Sequence, residues 1–242
     1  MQNKWYWIFR NIIFGPFLRV YNRPEIVGVD NIPSTGPAII ASNHQSVMDS
    51  FFLPLLCPRQ ITFLAKAEYF NGTTPVGRLQ KWFFTNVGQR PVNRTSASAG
   101  QDALNTAVEV LNDGDLFGIY PEGTRSPDGR LYKGKTGVAR IALASGAQVI
   151  PVAMIGTRDV NPIGTWFPRP GKVRVKVGDP IYPIEFVNNR GLERDSYEAI
   201  RALTDHIMRQ LQQLSGQEYV DVYAAEVKKA LAEGGDSSPH NP

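Results

Sequence analysis

The chain has 242 residues, 42% of them hydrophobic, and a net charge of +4, enough for one large domain with a substantial core. Cys57 is the only cysteine, which excludes an intramolecular disulfide and a cysteine-rich zinc site and fits a reducing compartment. The charge is uneven: residues 184–242 hold 6 basic and 10 acidic residues, so residues 1–183 carry +8. Such a basic body suits nucleic acid, an anionic membrane, a phosphorylated small substrate or a plain solvated surface.

Residues 4–23, "KWYWIFRNIIFGPFLRVYNR", are dense in aromatic and apolar side chains. Arg10 and Arg19 interrupt them and Gly15-Pro16 breaks them, so the segment is a poor match to the roughly 20 apolar residues of a spanning helix. It lacks the clean apolar centre and small-residue cleavage site of a signal peptide. Trp5, Tyr6, Trp7 and Tyr21 suit a membrane interface. The competing reading is a helix packed on the protein's own core.

Further along, "EIVGV" (25–29) reads as a strand, "NIPSTG" (31–36) as a turn, "PAIIAS" (37–42) as a buried strand and "VMDSFFLPLLC" (47–57) as a helix. "ITFLAKAEYF" (61–70) begins as a strand, residues 77–87 read as a helix, and "GQRPVNR" (88–94) is a short connecting segment. Residues 98–114 form the clearest helix, with Ser98 and Gln101 in a capping box and Leu104, Val108 and Leu111 on one face. "LFGIY" (116–120) is a strand, 137–146 a helix and 148–156 another strand. Residues 172–181 alternate apolar and basic residues as a half-exposed strand does. An amphipathic helix over 195–214 turns Ile200, Leu203, Ile207, Leu211 and Leu214 inward, residues 219–233 form a last helix, and 234–242 read as a disordered tail. Strands alternating with helices predict a single α/β domain with a mostly parallel central sheet flanked by helices. To it are added an N-terminal interfacial amphipathic segment and C-terminal helices. Sites in such sheets lie beyond the carboxyl ends of strands, where the runs after "PAIIAS" and "LFGIY" fall.

The first of these runs is "NHQSVMD", with His44 five residues before Asp49. Ser46 and Asp49 fit a helix capping box, which would leave His44 a plain loop residue. The same placement lets a first-turn carboxylate reach back to the imidazole and fix its tautomer, as a base and its orienting group require. On spacing alone both readings stand. His206 and His240 lie on the C-terminal helix and in the tail, and the chain has no G-x-S-x-G, P-loop or dinucleotide fingerprint. The second run, "YPEGTRSPDGR", puts Glu122, Gly123 and Arg125 beside a turn at 126–129. An arginine there can fork onto a phosphate. A third group is basic: residues 59–94 contain six Lys or Arg, Lys66 and Arg94 among them, against the single acid Glu68.

"NHQSVMD", "GQRPVNR", "YPEGTRS" and "VIPVAM" occur in the order of the four blocks of the glycerolipid acyltransferase family, and Glu122 follows His44 by 78 positions (122 − 44). From about residue 20 to 185 the chain resembles that family, and in particular its bacterial 1-acylglycerol-3-phosphate acyltransferases. With the membrane-interface segment read from its composition at 1–23, the resemblance implies an acyltransferase domain at 24–233, with the blocks at about 37–155. It implies that His44 is the general base and Asp49 its partner, and that Glu122, Gly123 and Arg125 bind the acceptor and its phosphate. Lys66 sits where the family often has a phosphate-binding lysine, Arg94 closes the second block, and Pro151 is linked to the acyl donor or to site shape. In the second block, Arg90-Pro91 interrupts the usual apolar run.

The implied reaction moves a fatty acyl group from acyl-CoA or acyl carrier protein to lysophosphatidate, with no metal or other cofactor. Partners would be the membrane phospholipid surface and these substrates, not nucleic acid, and the place the cytoplasmic face of the membrane. Another lysophospholipid, glycerol 3-phosphate or a glycolipid acceptor, and a catalytically idle membrane-surface scaffold, are the alternatives.

Overall fold

The structure is a computed structural model and describes residues 3–92, 98–165 and 167–233. Arg94 of the second block and the expected tail lie outside the described residues.

The chain opens with α1 (Lys4–Ile8), a π-helical stretch (Phe9–Ile13) and α2 (Phe14–Tyr21). The break expected at Gly15-Pro16 is not made. A proline has no N–H and crowds the carbonyl four residues back, and the wider π turn before Pro16 takes up that conflict without ending the helix. Gly15 is required here, because a Cβ would lie 1.7 Å from the Arg10 carbonyl oxygen. One face of this segment packs on the domain: Tyr6, Phe9 and Leu18 are buried. The Tyr6 hydroxyl donates to the Pro54 carbonyl and Arg10 Nε to that of Leu55. The other face is exposed, with Trp7 at 50% and Val20 at 81%. The packing on the protein's own core is thus present on one face, while the opposite face leaves apolar side chains exposed.

β1 (Glu25–Val27), β2 (Ala38–Ser42), α3 (Asp49–Leu56), β3 (Ile61–Lys66), α4 (Pro75–Asn86), β4 (Arg90–Val92), α5 (Ala99–Asn112) and β5 (Leu116–Ile119) follow. Then come β6 (Leu131–Tyr132), α6 (Gly137–Ser145), β7 (Gln148–Ile155), α7 (Thr157–Val160), β8 (Arg174–Val177), α8 (Pro183–Asn188), α9 (Tyr197–Ser215), β9 (Tyr219–Val220) and α10 (Ala224–Ala232). Seven strands form one sheet in the order β1-β8-β7-β2-β5-β3-β4. All neighbours pair in parallel except β7 and β8, so β1 and β8 run against the rest. The mostly parallel α/β sheet expected from the sequence is thus present. β4 pairs only with β3, so Pro91, which has no N–H to give, sits on the sheet edge where proline is tolerated.

Side chains alternate across the sheet. Ile39, Ala41, Phe117 and Val149 join a core with α5, α6, α8 and α9, and Ala38, Ile40, Leu116 and Ile150 join one with α2 and α3. Ile200, Leu203, Ile207 and Leu211 of α9 are buried as the amphipathic pattern predicts, each contributing roughly 1.5–3 kcal/mol. Some local details differ. The Ser98 hydroxyl donates to Asp102 and the Gln101 amide to Asn105, so these side chains do not form the reciprocal box. The buried face of α5 centres on Ala107, Val110 and Leu111. The first residues of the expected last helix instead form β9, which pairs with β6.

Candidate active site

The parallel register of β2 and β5 sets the site. Ala38 lies opposite Leu116 and Ala41 opposite Ile119, an offset of 78 (116 − 38) equal to the separation of His44 and Glu122. Each of these two residues therefore stands three positions past its paired strand residue, at the same carboxyl edge of the sheet.

His44 Nδ1 lies 2.9 Å from Asp49 Oδ2. The same oxygen accepts from the backbone N–H groups of Gln45, at 2.6 Å, and Ser46, at 2.8 Å. An oxygen already receiving two N–H donors acts as an acceptor toward the ring as well, which assigns the proton to Nδ1 and leaves Nε2 with its lone pair. The Ser46 hydroxyl accepts from Met48 N–H and donates to Asn161. The turn into α3 and the orientation of His44 are thus two uses of one carboxylate. Asp49 is fully buried, and its Oδ1 has no hydrogen-bond partner among the described residues.

The third block holds the first from the side. His44 N–H donates to Glu122 Oε1 at 3.1 Å, and the His44 carbonyl accepts from Ser126 N–H at 2.8 Å. Glu122 Oε2 accepts from Tyr132 N–H at 3.0 Å. Both Glu122 oxygens are thereby occupied by backbone donors, in a side chain only 1% exposed. Burial pushes the Glu122 carboxyl from its ordinary 4.5 up to about 7; the two N–H donors pull the other way, and the nearby Asp49 adds to the rise. The expected turn is present, with Ser126 Oγ accepting from Gly129 N–H. Arg158 of α7 ties the turn down through the Ser126 and Pro127 carbonyls. The Tyr120 ring lies on the imidazole face, with centroids 3.9 Å apart and planes at 10°. Phe63 stacks behind Tyr120, and burial keeps the Tyr120 phenol neutral.

His44 lines a cavity of about 1370 Å³. Its wall includes the aromatic side chains of Tyr6, Phe9, Phe14, Phe83 and Phe84. It also includes cations. Lys66 and Arg125 line it as the sequence suggests, and Lys135 and Arg140, which sequence reasoning missed, line it too. With Arg10, the described lining holds five Lys or Arg and no Asp or Glu. Gly123 also lines it, at φ +73°, where a Cβ would lie 3.1 Å from the Lys135 side chain. The glycine gives both the left-handed turn and room for that lysine. Pro151 is buried in β7 opposite Ala41, and its ring faces the backbone at Gly178; it is not part of the cavity wall. From outside the four blocks, Lys228 of α10 donates to the Thr124 hydroxyl at 2.6 Å.

The chain is similar to known proteins. The sequence pattern of the acyltransferase family matches residues 23–155, more than half of the chain, and the chain belongs to that family. It is 32% identical over 177 residues to a chloroplastic 1-acyl-sn-glycerol-3-phosphate acyltransferase of Arabidopsis thaliana, covering 72% of this chain and 47% of the relative. It is 27% identical over 201 residues to a 1-acyl-sn-glycerol-3-phosphate acyltransferase of Bacillus subtilis, covering 81% of this chain and 87% of the relative. The chain spans about half the length of the plant relatives it matches. The crystal structure of the 1-acyl-sn-glycerophosphate acyltransferase PlsC from Thermotoga maritima superimposes with a TM-score of 0.62 at 30% identity, covering 82% of this chain and 74% of that one.

The Glu122 carboxylate yields a stability prediction. Glu122→Gln exchanges one acceptor oxygen for an NH2 group, so a buried backbone N–H loses its partner at a cost of about 1–3 kcal/mol. The substitution also removes a titration. A carboxyl raised from 4.5 to about 7 binds a proton in the folded chain that the unfolded chain has released. Its stabilising contribution is full below about pH 4.5 and is lost as pH rises through about 7. Melting temperatures of the wild type, taken relative to Glu122→Gln, are expected to fall across that window. Parallel curves would contradict the burial argument.

Proposed function

We propose that the protein transfers a fatty acyl group from an acyl thioester to the free hydroxyl of 1-acylglycerol 3-phosphate, giving phosphatidate. The observation that carries this reading is that an imidazole oriented by a buried carboxylate lines one cavity with many aromatic side chains and, among the described residues, with five cations and no acids. The relatives' names and the order of the four blocks support the same reaction.

In this reading, His44 Nε2 takes the proton from the acceptor hydroxyl as that oxygen attacks the thioester carbonyl. The new C–O bond forms, the C–S bond breaks, and the imidazolium returns its proton to the departing thiolate. Acceptor alcohol and thioester thus become ester and free thiol. A thiol, with an ordinary pKa of about 8.5, leaves more readily than an alkoxide. Asp49 holds the ring in the reactive tautomer and lies against the positive charge that forms on it. Tyr120 restricts the ring's rotation from its face. Arg125 and Lys66 take the acceptor phosphate, and the aromatic side chains of the cavity take an acyl chain. Glu122 acts one step removed from the role the family resemblance implies: it fixes the His44 peptide, while its neighbours meet the acceptor.

The donor is acyl-CoA or acyl carrier protein, and the protein works from the membrane surface. No helix among the described residues is long and apolar enough to cross a membrane. The exposed apolar side chains of α1 and α2 instead continue, through the Trp5–Trp82 ring contact, onto Val76, Leu79 and Trp82 of α4. Through Phe17 they continue onto Phe167. Lys4, Arg19, Arg23, Arg78 and Lys81 are exposed along the same elements, as an anionic surface favours.

The reaction is tested by offering one acyl-CoA with a panel of lysolipid, glycerol 3-phosphate and glycolipid acceptors and reading products by mass spectrometry. Lysophosphatidate is expected to be the best acceptor, and His44→Ala, folded, to lose about 10²–10⁴-fold in rate. Preference for a phosphate-free acceptor, or near-normal turnover by His44→Ala, would sink the reading. For the membrane face, Trp7→Glu with Ile13→Glu changes two exposed side chains and is expected to weaken binding to anionic liposomes by about tenfold or more. Undiminished binding would place the membrane surface elsewhere.

A further inference from the structure

A glycine in β5 makes room for a column of rings that ends on His44. In the pairing of β3 with β5, Gly118 stands opposite Phe63. The Phe63 ring fills the space of the missing side chain: a Cβ on Gly118 would lie 2.3 Å from Phe63 Cε1 and 2.5 Å from its Cζ. Tyr120 follows Gly118 by two positions, which puts it on the same face. Its ring stacks on Phe63, with centroids 5.5 Å apart and planes at 18°, and on His44, at 3.9 Å and 10°. Its hydroxyl lies 3.1 Å from Oγ of Ser50, the residue after Asp49. Ser50, Phe63, Gly118 and Tyr120 all line the cavity with His44.

The Tyr120 contact treats the neutral and the charged imidazole unequally. A neutral ring gains dispersion and buried area from the stack. A cation within about 6 Å of an aromatic centroid gains in addition from the negative charge on the ring face, and 3.9 Å lies well inside that range. Burial keeps the phenol neutral, so the attraction comes from the ring and not from a phenolate. The Phe63 stack and the Ser50 hydroxyl hold that ring face-on to the imidazole. When His44 takes a proton from the acceptor hydroxyl, its ring becomes the cation. An interaction stronger after proton uptake than before it lowers the barrier instead of tightening the ground state.

We propose that Tyr120 is a positioning residue that acts on His44 through charge as well as shape: its π face stabilises the imidazolium formed as the acceptor hydroxyl gives up its proton. Asp49 and Tyr120 then share the new charge, one along the Nδ1–H bond and the other across the ring plane. This rests on the acyltransferase reading and deepens it. It goes beyond limiting the rotation of the imidazole, which any flat side chain of the same size would do equally well.

The test uses the full chain with Tyr120→Leu, with Tyr120→Phe, and with mono-, di- and trifluorophenylalanine in place of Tyr120. Fluorine draws electron density from the ring face and leaves its shape nearly unchanged. For each variant that melts near the wild-type temperature, the rate of a single turnover is measured at saturating acyl-CoA and lysophosphatidate, with the KM for each. Tyr120→Leu is expected to slow the turnover by about 2–30-fold, the range of a cation–π contact, while both KM values change little. Tyr120→Phe, which keeps the ring and gives up the Ser50 bond, is expected to recover most of that rate. The fluorinated rings are expected to lose it again, in order of their fluorine content. Should Tyr120→Leu not fold, the near-isosteric fluorinated series, compared with Tyr120→Phe, decides alone. A rate that does not fall with fluorination, a loss confined to KM, or a Tyr120→Phe as slow as Tyr120→Leu would overturn the proposal. A wild type that acylates lysophosphatidate, together with a flat fluorinated series, removes only the charge role of Tyr120. A wild type with no transfer to lysophosphatidate removes the functional reading, and this proposal with it.

Discussion

A single buried carboxylate joins the two halves of the site. Glu122 reaches from the end of β5 to the His44 N–H on one side and the Tyr132 N–H on the other. Removing a carboxylate from water is expensive, and burial is the largest cause of the rise of its pKa to about 7. The cost is tolerated because the alternative leaves two backbone donors buried without partners. With Ser126 N–H on the His44 carbonyl, the histidine peptide is gripped at both its polar atoms. The position of the imidazole follows from that grip, and its rotation from Asp49 and Tyr120.

Electrostatics divide the cavity by function. The carboxylates of the site, Asp49 and Glu122, lie behind its surface, each turned onto N–H donors. Among the described residues, the charges that reach the lining are all cationic. An anionic group in the cavity would therefore meet no like charge from these residues beside His44. Behind the imidazole, Asp49 Oδ1 has no hydrogen-bond partner among the described residues, so the carboxylate's hydrogen bonds all converge on Oδ2.

Most of the architecture was legible because it is local. Buried strands such as "PAIIAS" and the period of α9 write themselves into side-chain order. The separation of 78 between His44 and Glu122 was visible too, though as a family spacing; its physical meaning is the register of β2 on β5. What could not be read depends on distant partners. The alternation of Arg174–Val177 marks a half-exposed strand, but only its pairing with β7 shows that it runs against the sheet. Glu122 has the composition of a binding residue, and only its burial shows that its oxygens face backbone. Lys135 lies just before α6 and Arg140 in its first turns, in a stretch that carries no distinctive motif, and Lys228 meets Thr124 across 104 positions. At Gly15-Pro16 the local rule did apply, but a π-helical turn absorbed the conflict that would otherwise end a helix.

The tautomer of His44 tests the account at its centre. The geometry requires the Nδ1 proton to point at Asp49 Oδ2 and Nε2 to face the cavity unprotonated. With three histidines in the chain, 15N-histidine labelling and a His44→Ala reference assign the ring by NMR. Above the imidazole titration, the proton is expected on Nδ1, shifted downfield by its bond to the carboxylate, and this state is expected to be lost in Asp49→Ala. A neutral ring protonated on Nε2, or one that exchanges freely between tautomers, would contradict the account.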